Sequence, residues 1–209
     1  MRRIALVLAL VAVVAAAFAI PTGAEDMKNS RNPVVVMKTS MGTMEIELYK
    51  DEAPITVQNF EWYVKNGFYD GLIFHRVIDS FMVQGGGFTP AMKKKAGNEP
   101  IENEATNGLK NDKYTLAMAR TPAVHSATSE FFINNKDNPP LDHRNTTVEG
   151  FGYCVFGKVI EGQEVVDKIS KVKTISKNGM NDVPVEVVVI EEVYLKDKSK
   201  SSKKETESD

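Results

Sequence analysis

The chain has 209 residues, of which 42% are apolar and 26% charged. That length suits one ordinary domain with a real core, and the balance is that of a globular chain rather than a disordered one. A net charge of −2 gives no electrostatic case for nucleic acid, and the single cysteine excludes an internal disulfide.

Arg2 and Arg3 precede an unbroken apolar run from Ile4 to Ile20, and small residues follow as far as Ala24. A basic start, an apolar middle and a small-residue end predict a secretory signal peptide over residues 1–24. The run also reaches the lower limit for a membrane span, so an uncleaved anchor is the alternative. The expected location is the periplasm, without stable membrane insertion after cleavage. Secretion or anchoring through an uncleaved signal are the alternatives. Residues 25–32 read as a polar linker to a folded domain over 33–195.

Pro33 to Ser40 is β-rich, and Met41-Gly42 offers a turn. Thr43 to Tyr49 then alternates, with Met44, Ile46 and Leu48 on one face and Glu45 and Glu47 on the other. This predicts an antiparallel hairpin with one wet side. Asp51 to Pro54 opens a helix whose buried stripe is Val57, Phe60, Tyr63 and Val64, and Asn66-Gly67 closes it. Trp62, beside that stripe, is expected to pack. From Gly71 to Phe88 short strands and glycine turns return. Gly85-Gly86-Gly87 lacks the Gly-Lys-Ser/Thr ending of a phosphate loop, and reads as a sharp bend or a close backbone approach.

Residues 113–119, 129–134 and 151–160 are further strands, with Cys154 in the last expected as a small buried hydrophobe. Residues 161–170 predict a second helix with Val165, Val166 and Ile169 inward. Residues 183–195 read as one long final strand, and 196–209, with no apolar residue, as a solvated tail. Many short strands with two isolated helices predict a mainly β fold. Its form is a closed or nearly closed antiparallel barrel with helices over its openings.

The chemistry-bearing residues are sparse. His75, His125 and His143 have no metal-ligand spacing, so no metal is expected. Ser80 with His75 could make a nucleophile and base, but no Gly-x-Ser-x-Gly elbow surrounds Ser80. Asn145-Thr-Thr147 matches a glycosylation sequon.

Phe74-His-Arg-Val-Ile78 followed by Phe81-Met-Val-Gln-Gly-Gly86 resembles the signature of the cyclophilins, which are peptidyl-prolyl cis-trans isomerases. Leu116 to Ala119, Ser126 to Asn134 and Phe151 to Val159 agree with that family in order and spacing, so the resemblance runs from about Pro33 to Leu195. It implies a closed eight-stranded antiparallel β-barrel capped by two α-helices. It also implies isomerase activity without a cofactor, and proline-containing unfolded or partly folded polypeptides as partners. A monomer is expected. With Ala119-Arg120-Thr121 and a signal peptide, the chain most resembles the exported bacterial branch.

Such a site has an unusual task. Amide resonance opposes rotation by roughly 18–20 kcal/mol, and no covalent bond need break. A fixed donor near the proline nitrogen binds the twisted amide, whose nitrogen has regained its lone pair, better than the planar one. The resemblance implies Arg76 as that donor, with Gln84 positioning Arg76 and the substrate backbone. Phe81, Met82, Phe132 and Leu141 would line the proline pocket. Ala119, Arg120 and Thr121 would border the peptide groove, and His75 and Tyr153 would stand at the rim. Glu130 and Phe132, two apart on a strand, share a face.

Two positions depart from the family pattern. Many members carry glutamine where Glu130 stands, and a carboxylate there can pair with Arg76 or Arg120; pairing with Arg76 would weaken its hold on substrate. Pro140 stands where cyclosporin-sensitive members have tryptophan, which implies weak cyclosporin binding. A chaperone that holds proline-bearing segments with little turnover is the alternative to an isomerase.

Overall fold

The computed structural model describes residues 32–196. The expected signal peptide, residues 25–31 of the linker and residues 197–209 of the tail lie outside the described residues.

The strands in chain order are β1 (Val34–Thr39), β2 (Gly42–Leu48), β3 (Ile73–Ile78), β4 (Met82–Gly85), β5 (Thr115–Met118), β6 (Phe131–Asn134), β7 (Val155–Glu161), β8 (Thr174–Lys177), β9 (Met180–Pro184) and β10 (Val188–Leu195). Eight of them close an antiparallel barrel in the order β1-β10-β3-β4-β6-β5-β7-β2. Closure pairs every edge, so no barrel strand is left as a template for another chain. The β1–β2 hairpin has the expected register, with Met37 opposite Met44 and Val35 opposite Ile46. Met44, Ile46 and Leu48 are fully buried, because the period of two turns all three into the barrel.

Helix α1 (Pro54–Lys65) follows β2, and α2 (Gln163–Ser170) follows β7. The α1 stripe of Val57, Phe60, Tyr63 and Val64 is buried as expected. Phe60 packs its ring, tilted or edge-on, at 5.2–5.7 Å from Tyr69, Phe131 and Phe156. No side chain of its own turn caps α1. Instead the Glu104 carboxylate accepts from the backbone of Ile55 and Thr56, at 3.1 and 2.8 Å, satisfying amides that have no partner within the helix. Trp62 departs from expectation: it is 47% exposed, with its ring edge-on to Tyr63. One residue's rotation from Tyr63 carries it off the buried stripe.

In α2, Val165, Val166 and Ile169 are buried. It starts at Gln163 because Glu161 still belongs to β7. The expected strand over 151–160 begins at Val155, and the expected long strand over 183–195 is broken. Pro184, which has no N–H for a ladder, ends β9, and β10 starts at Val188. Strands β8 and β9 form a separate two-stranded hairpin. Cys154 is buried as expected, and burial pushes its thiol up to about 12.

Alternation divides the apolar residues between two clusters. Phe74, Val77, Val83, Leu116, Phe131 and Ile133 face the barrel interior. Met82, Ala117, Phe132 and Val155 form a second cluster, joined by Phe81, Leu141 and Tyr153. On β6, Phe131 and Ile133 go in while Phe132 goes to the other face, so the second cluster lies on the outside of the barrel wall.

Candidate active site

The second cluster floors an open cavity of about 450 Å³ on the outer face of β3, β4, β5 and β6. All twelve residues expected at the site line it. Phe132 stands over the floor with its ring edge-on to Tyr153, the centroids 5.6 Å apart. Phe81, in the turn between β3 and β4, is pinned from behind. Its carbonyl accepts from the Asn138 side chain at 2.8 Å, and Asn138 donates in turn to the buried Asn134 at 2.7 Å. Leu141 closes the 3₁₀ turn that begins at Pro139, and its carbonyl accepts from the Tyr153 amide at 2.9 Å.

The position of Arg76 depends on a β-bulge. Phe74 is opposite Gly85 and Arg76 is opposite Gln84, so β3 carries one extra residue, His75. Phe74 and Val77 both face the barrel interior although they are three residues apart. His75 and Arg76 are therefore turned together to the outer, cavity side. The Arg76 side chain is 41% exposed there. Among the described residues it has one polar partner, Asp182, whose carboxylate lies 3.7 Å from Nε.

His75 was expected at the rim and is not there: it is 1% exposed. Its ring packs on Phe88 at 4.6 Å, and its Nε2 is 3.4 Å from the Glu130 carboxylate. Its Nδ1 has no hydrogen-bond partner among the described residues. The bulge is the cause, since it presses His75 under Phe88 rather than out along the strand. Ser80 sits at φ +56° in the following turn, its hydroxyl 3.4 Å from Asp79. His75 faces Glu130 instead, so the two do not form a nucleophile–base pair.

Glu130 also has other partners than expected. It meets neither Arg76 nor Arg120. Its carboxylate accepts from Gln84 Nε2 at 3.0 Å and lies 3.2 Å from Lys94 Nζ, beside His75. Gly87 makes this possible: a Cβ there would come within 2.5 Å of the Glu130 side chain. Gly86, at φ +83°, would bring a Cβ to 2.9 Å of the Ser129 carbonyl, so these glycines do serve a bend and a close approach. Burial alone would raise the Glu130 pKa, but the His75 and Lys94 contacts outweigh it and hold the carboxyl at about 2. Gln84, cross-strand neighbour of Arg76, thus donates its amide N–H to Glu130.

Arg120 is held by main-chain carbonyls. It donates to Gly152, Thr121, Pro122 and Val148 at 3.0–3.3 Å and lies over the Tyr153 ring. Thr121 bonds Ser126 at the groove edge, and the Ala119 amide donates to the Glu130 carbonyl at 3.0 Å.

Five lining residues were not among the expected site residues: Phe88, Lys94, Ser126, Thr128 and Met180, of which Ser126 and Thr128 lie in the stretch 126–134 that carries the resemblance. An isolated bridge to Phe88 carries Lys94 to the site, and no local pattern marks it. Met180 had a readable signal. Asn178-Gly179 before it is a two-residue hairpin turn, with both φ positive at +53° and +78°.

Comparison with known proteins agrees with this geometry. The family model for cyclophilin type peptidyl-prolyl cis-trans isomerase/CLD matches residues 34–195. The chain is 60% identical to peptidyl-prolyl cis-trans isomerase cyp18 of Streptomyces antibioticus over 161 residues, 77% of this chain and 97% of that one. It is 54% identical to peptidyl-prolyl cis-trans isomerase B of Escherichia coli over 163 residues, 78% and 99% of the two chains. A Cryptosporidium parvum cyclophilin type peptidyl-prolyl cis-trans isomerase superposes with a TM-score of 0.68 at 25% identity, covering 79% of this chain and 98% of the other. A second structure of that isomerase, determined in the presence of the dipeptide Ala-Pro, gives 0.67. This chain belongs to the cyclophilin family and is a peptidyl-prolyl cis-trans isomerase.

Proposed function

We propose that Arg76 drives the isomerisation by donating to the nitrogen of a twisted X-Pro amide. The proline ring rests on Phe81, Met82, Phe132 and Leu141 while the preceding carbonyl swings. The observation that carries this reading is a guanidinium on the wall of an apolar-floored cavity whose nearest polar partner lies beyond hydrogen-bonding distance. Its donors are therefore free for substrate, and arginine keeps its charge at any working pH. Nothing in the reaction calls for a nucleophile or a cofactor: nitrogen pyramidalises, the donor holds its lone pair, and resonance returns on the other side.

Protease-coupled isomerisation of an X-Pro tetrapeptide, wild type beside Arg76→Ala, tests the reading. Activity that falls steeply in the variant supports it. A chaperone that only holds proline segments shows neither activity nor a variant effect, and a hydrolase cleaves without the coupling protease. The Ala-Pro dipeptide used with the Cryptosporidium relative makes a peptide with proline in second place the natural minimal probe.

We further infer that the substrates are exported proteins, from the basic, apolar and small-residue order of residues 1–24. N-terminal sequencing of the protein taken from the cell envelope checks this. A mature start near residue 25 supports export, and an intact Met1 in the cytoplasmic fraction overturns it.

Glu130 does not restrain Arg76 directly, so Glu130→Gln is expected to keep kcat/KM within about threefold of wild type. The amide oxygen of the introduced glutamine would still accept from Gln84 and His75. The charge matters for acid stability instead. A carboxyl held at about 2 contributes stability that is full above its unfolded value, about 4.3, and is lost as pH falls towards 2. Wild type should therefore lose more stability than Glu130→Gln between about pH 4.5 and 2. Equal losses in denaturant titrations across that window, or a large fall in kcat/KM, would count against this account.

A further inference from the structure

The residue that accompanies Arg76 comes from a part of the chain that the sequence patterns left out of the site. Asp182 lies on β9, and the β8–β9 hairpin packs against β3, the strand of Arg76. The pairing of the hairpin slips: Ile175 is opposite Val183 but Lys177 is opposite Met180, so β9 carries an extra residue. Asp182 sits in that bulge at φ +62°. A left-handed backbone is strained for most side chains and tolerated best, after glycine, by asparagine and aspartate. Bulges beside active sites commonly re-aim one side chain. Here the re-aimed carboxylate meets the Nε edge of Arg76 at 3.7 Å, while Met180 on the same strand joins the cavity wall.

We propose that Asp182 is a positioning residue for the isomerisation, holding the Arg76 arm over the proline pocket. This rests on the reading of Arg76 as the donor. The separation is too long for a hydrogen bond. The attraction therefore restrains the arm without using any of the guanidinium's five N–H donors, one of which the twisted amide needs. A closer, bidentate acid would occupy them. Asp79, the other carboxylate near the end of β3, is already engaged by Lys171 at 2.7 Å. Glu130 is engaged by Lys94, Gln84 and His75. Asp182 is the acid left to orient Arg76 among the described residues.

Both side chains are about two-fifths exposed, 41% and 38%, so the effect is modest. A pair of this kind is worth about two- to fivefold at low salt and is screened as ionic strength rises.

The experiment is a double-mutant cycle on the full-length protein with Asp182→Asn and Arg76→Ala, read by X-Pro tetrapeptide isomerisation. Asparagine keeps the tolerance for positive φ and removes only the charge. Asp182→Asn is expected to lower kcat and kcat/KM together by about two- to fivefold, with an unchanged melting midpoint. The difference should shrink in about 1 M salt. In the Arg76→Ala background the second substitution should have no effect. Asp182→Gly, which keeps the backbone freedom, should match Asp182→Asn. No loss in the single variant, or an equal loss in both backgrounds, overturns the role of Asp182 while leaving Arg76 as the donor. Full activity of Arg76→Ala alone overturns the mechanism and this inference with it.

Discussion

Arg76→Ala is expected to lower kcat/KM by about 100- to 1,000-fold, with the fold intact. Removing one preorganised donor from a site that stabilises developing charge typically has that effect. In the proposed mechanism the transition state differs from the ground state chiefly in the nitrogen lone pair that Arg76 meets, so losing that donor falls on kcat rather than on KM. The fold should not notice, because the side chain is 41% exposed and its one polar partner among the described residues is 3.7 Å away. Arg76→Lys keeps the charge and loses the planar fork, so it should recover only part of the rate. A variant within about threefold of wild type in the coupled assay would sink Arg76 as the donor.

Phe132→Ala should damage both stability and turnover. The ring is 4% exposed, packs with Met82, Ala117 and Val155, and is edge-on to Tyr153. Truncating a buried phenylalanine costs about 3–5 kcal/mol, the removed contacts plus the cavity left behind. For a domain of this size that is a melting midpoint lower by about 10 °C. In the proposed mechanism the same ring is floor for the proline, and losing an apolar contact of about 2 kcal/mol corresponds to about thirtyfold in kcat/KM. The two effects separate in Phe132→Leu, which keeps most of the buried volume and should recover stability more than activity. Measuring kcat/KM well below both midpoints decides the matter. Unchanged kcat/KM in Phe132→Ala would remove Phe132 from the pocket.

Much of the barrel was legible in residue order. Met44, Ile46 and Leu48 repeat every second residue, and Val57, Phe60 and Val64 recur at helical spacing. Each pattern reflects the geometry of one element, so it needs no knowledge of distant chain. The hairpin over 174–184 was also written locally, in Asn178-Gly179, and only the broken strand at Pro184 obscured it. The family motifs named the residues that now line the cavity, since strand alternation puts Glu130 and Phe132 on one face whatever lies opposite.

What those residues touch was not legible. A single extra residue in β3 turns His75 and Arg76 to the same side, and in the sequence it shows only as a spacing of three, not two, between the inward Phe74 and Val77. His75 is buried against Phe88, where the family resemblance implied a place at the rim. The partner of Glu130 depended on Gly87 leaving room and on Lys94 arriving by an isolated bridge, and the partner of Arg76 came from Asp182, more than a hundred residues away along the chain. Periodicity is a property of one strand or helix, so the residue sequence is enough to read it. An ion pair is a property of two segments and the registers that bring them together, and those registers exist only once the barrel has closed.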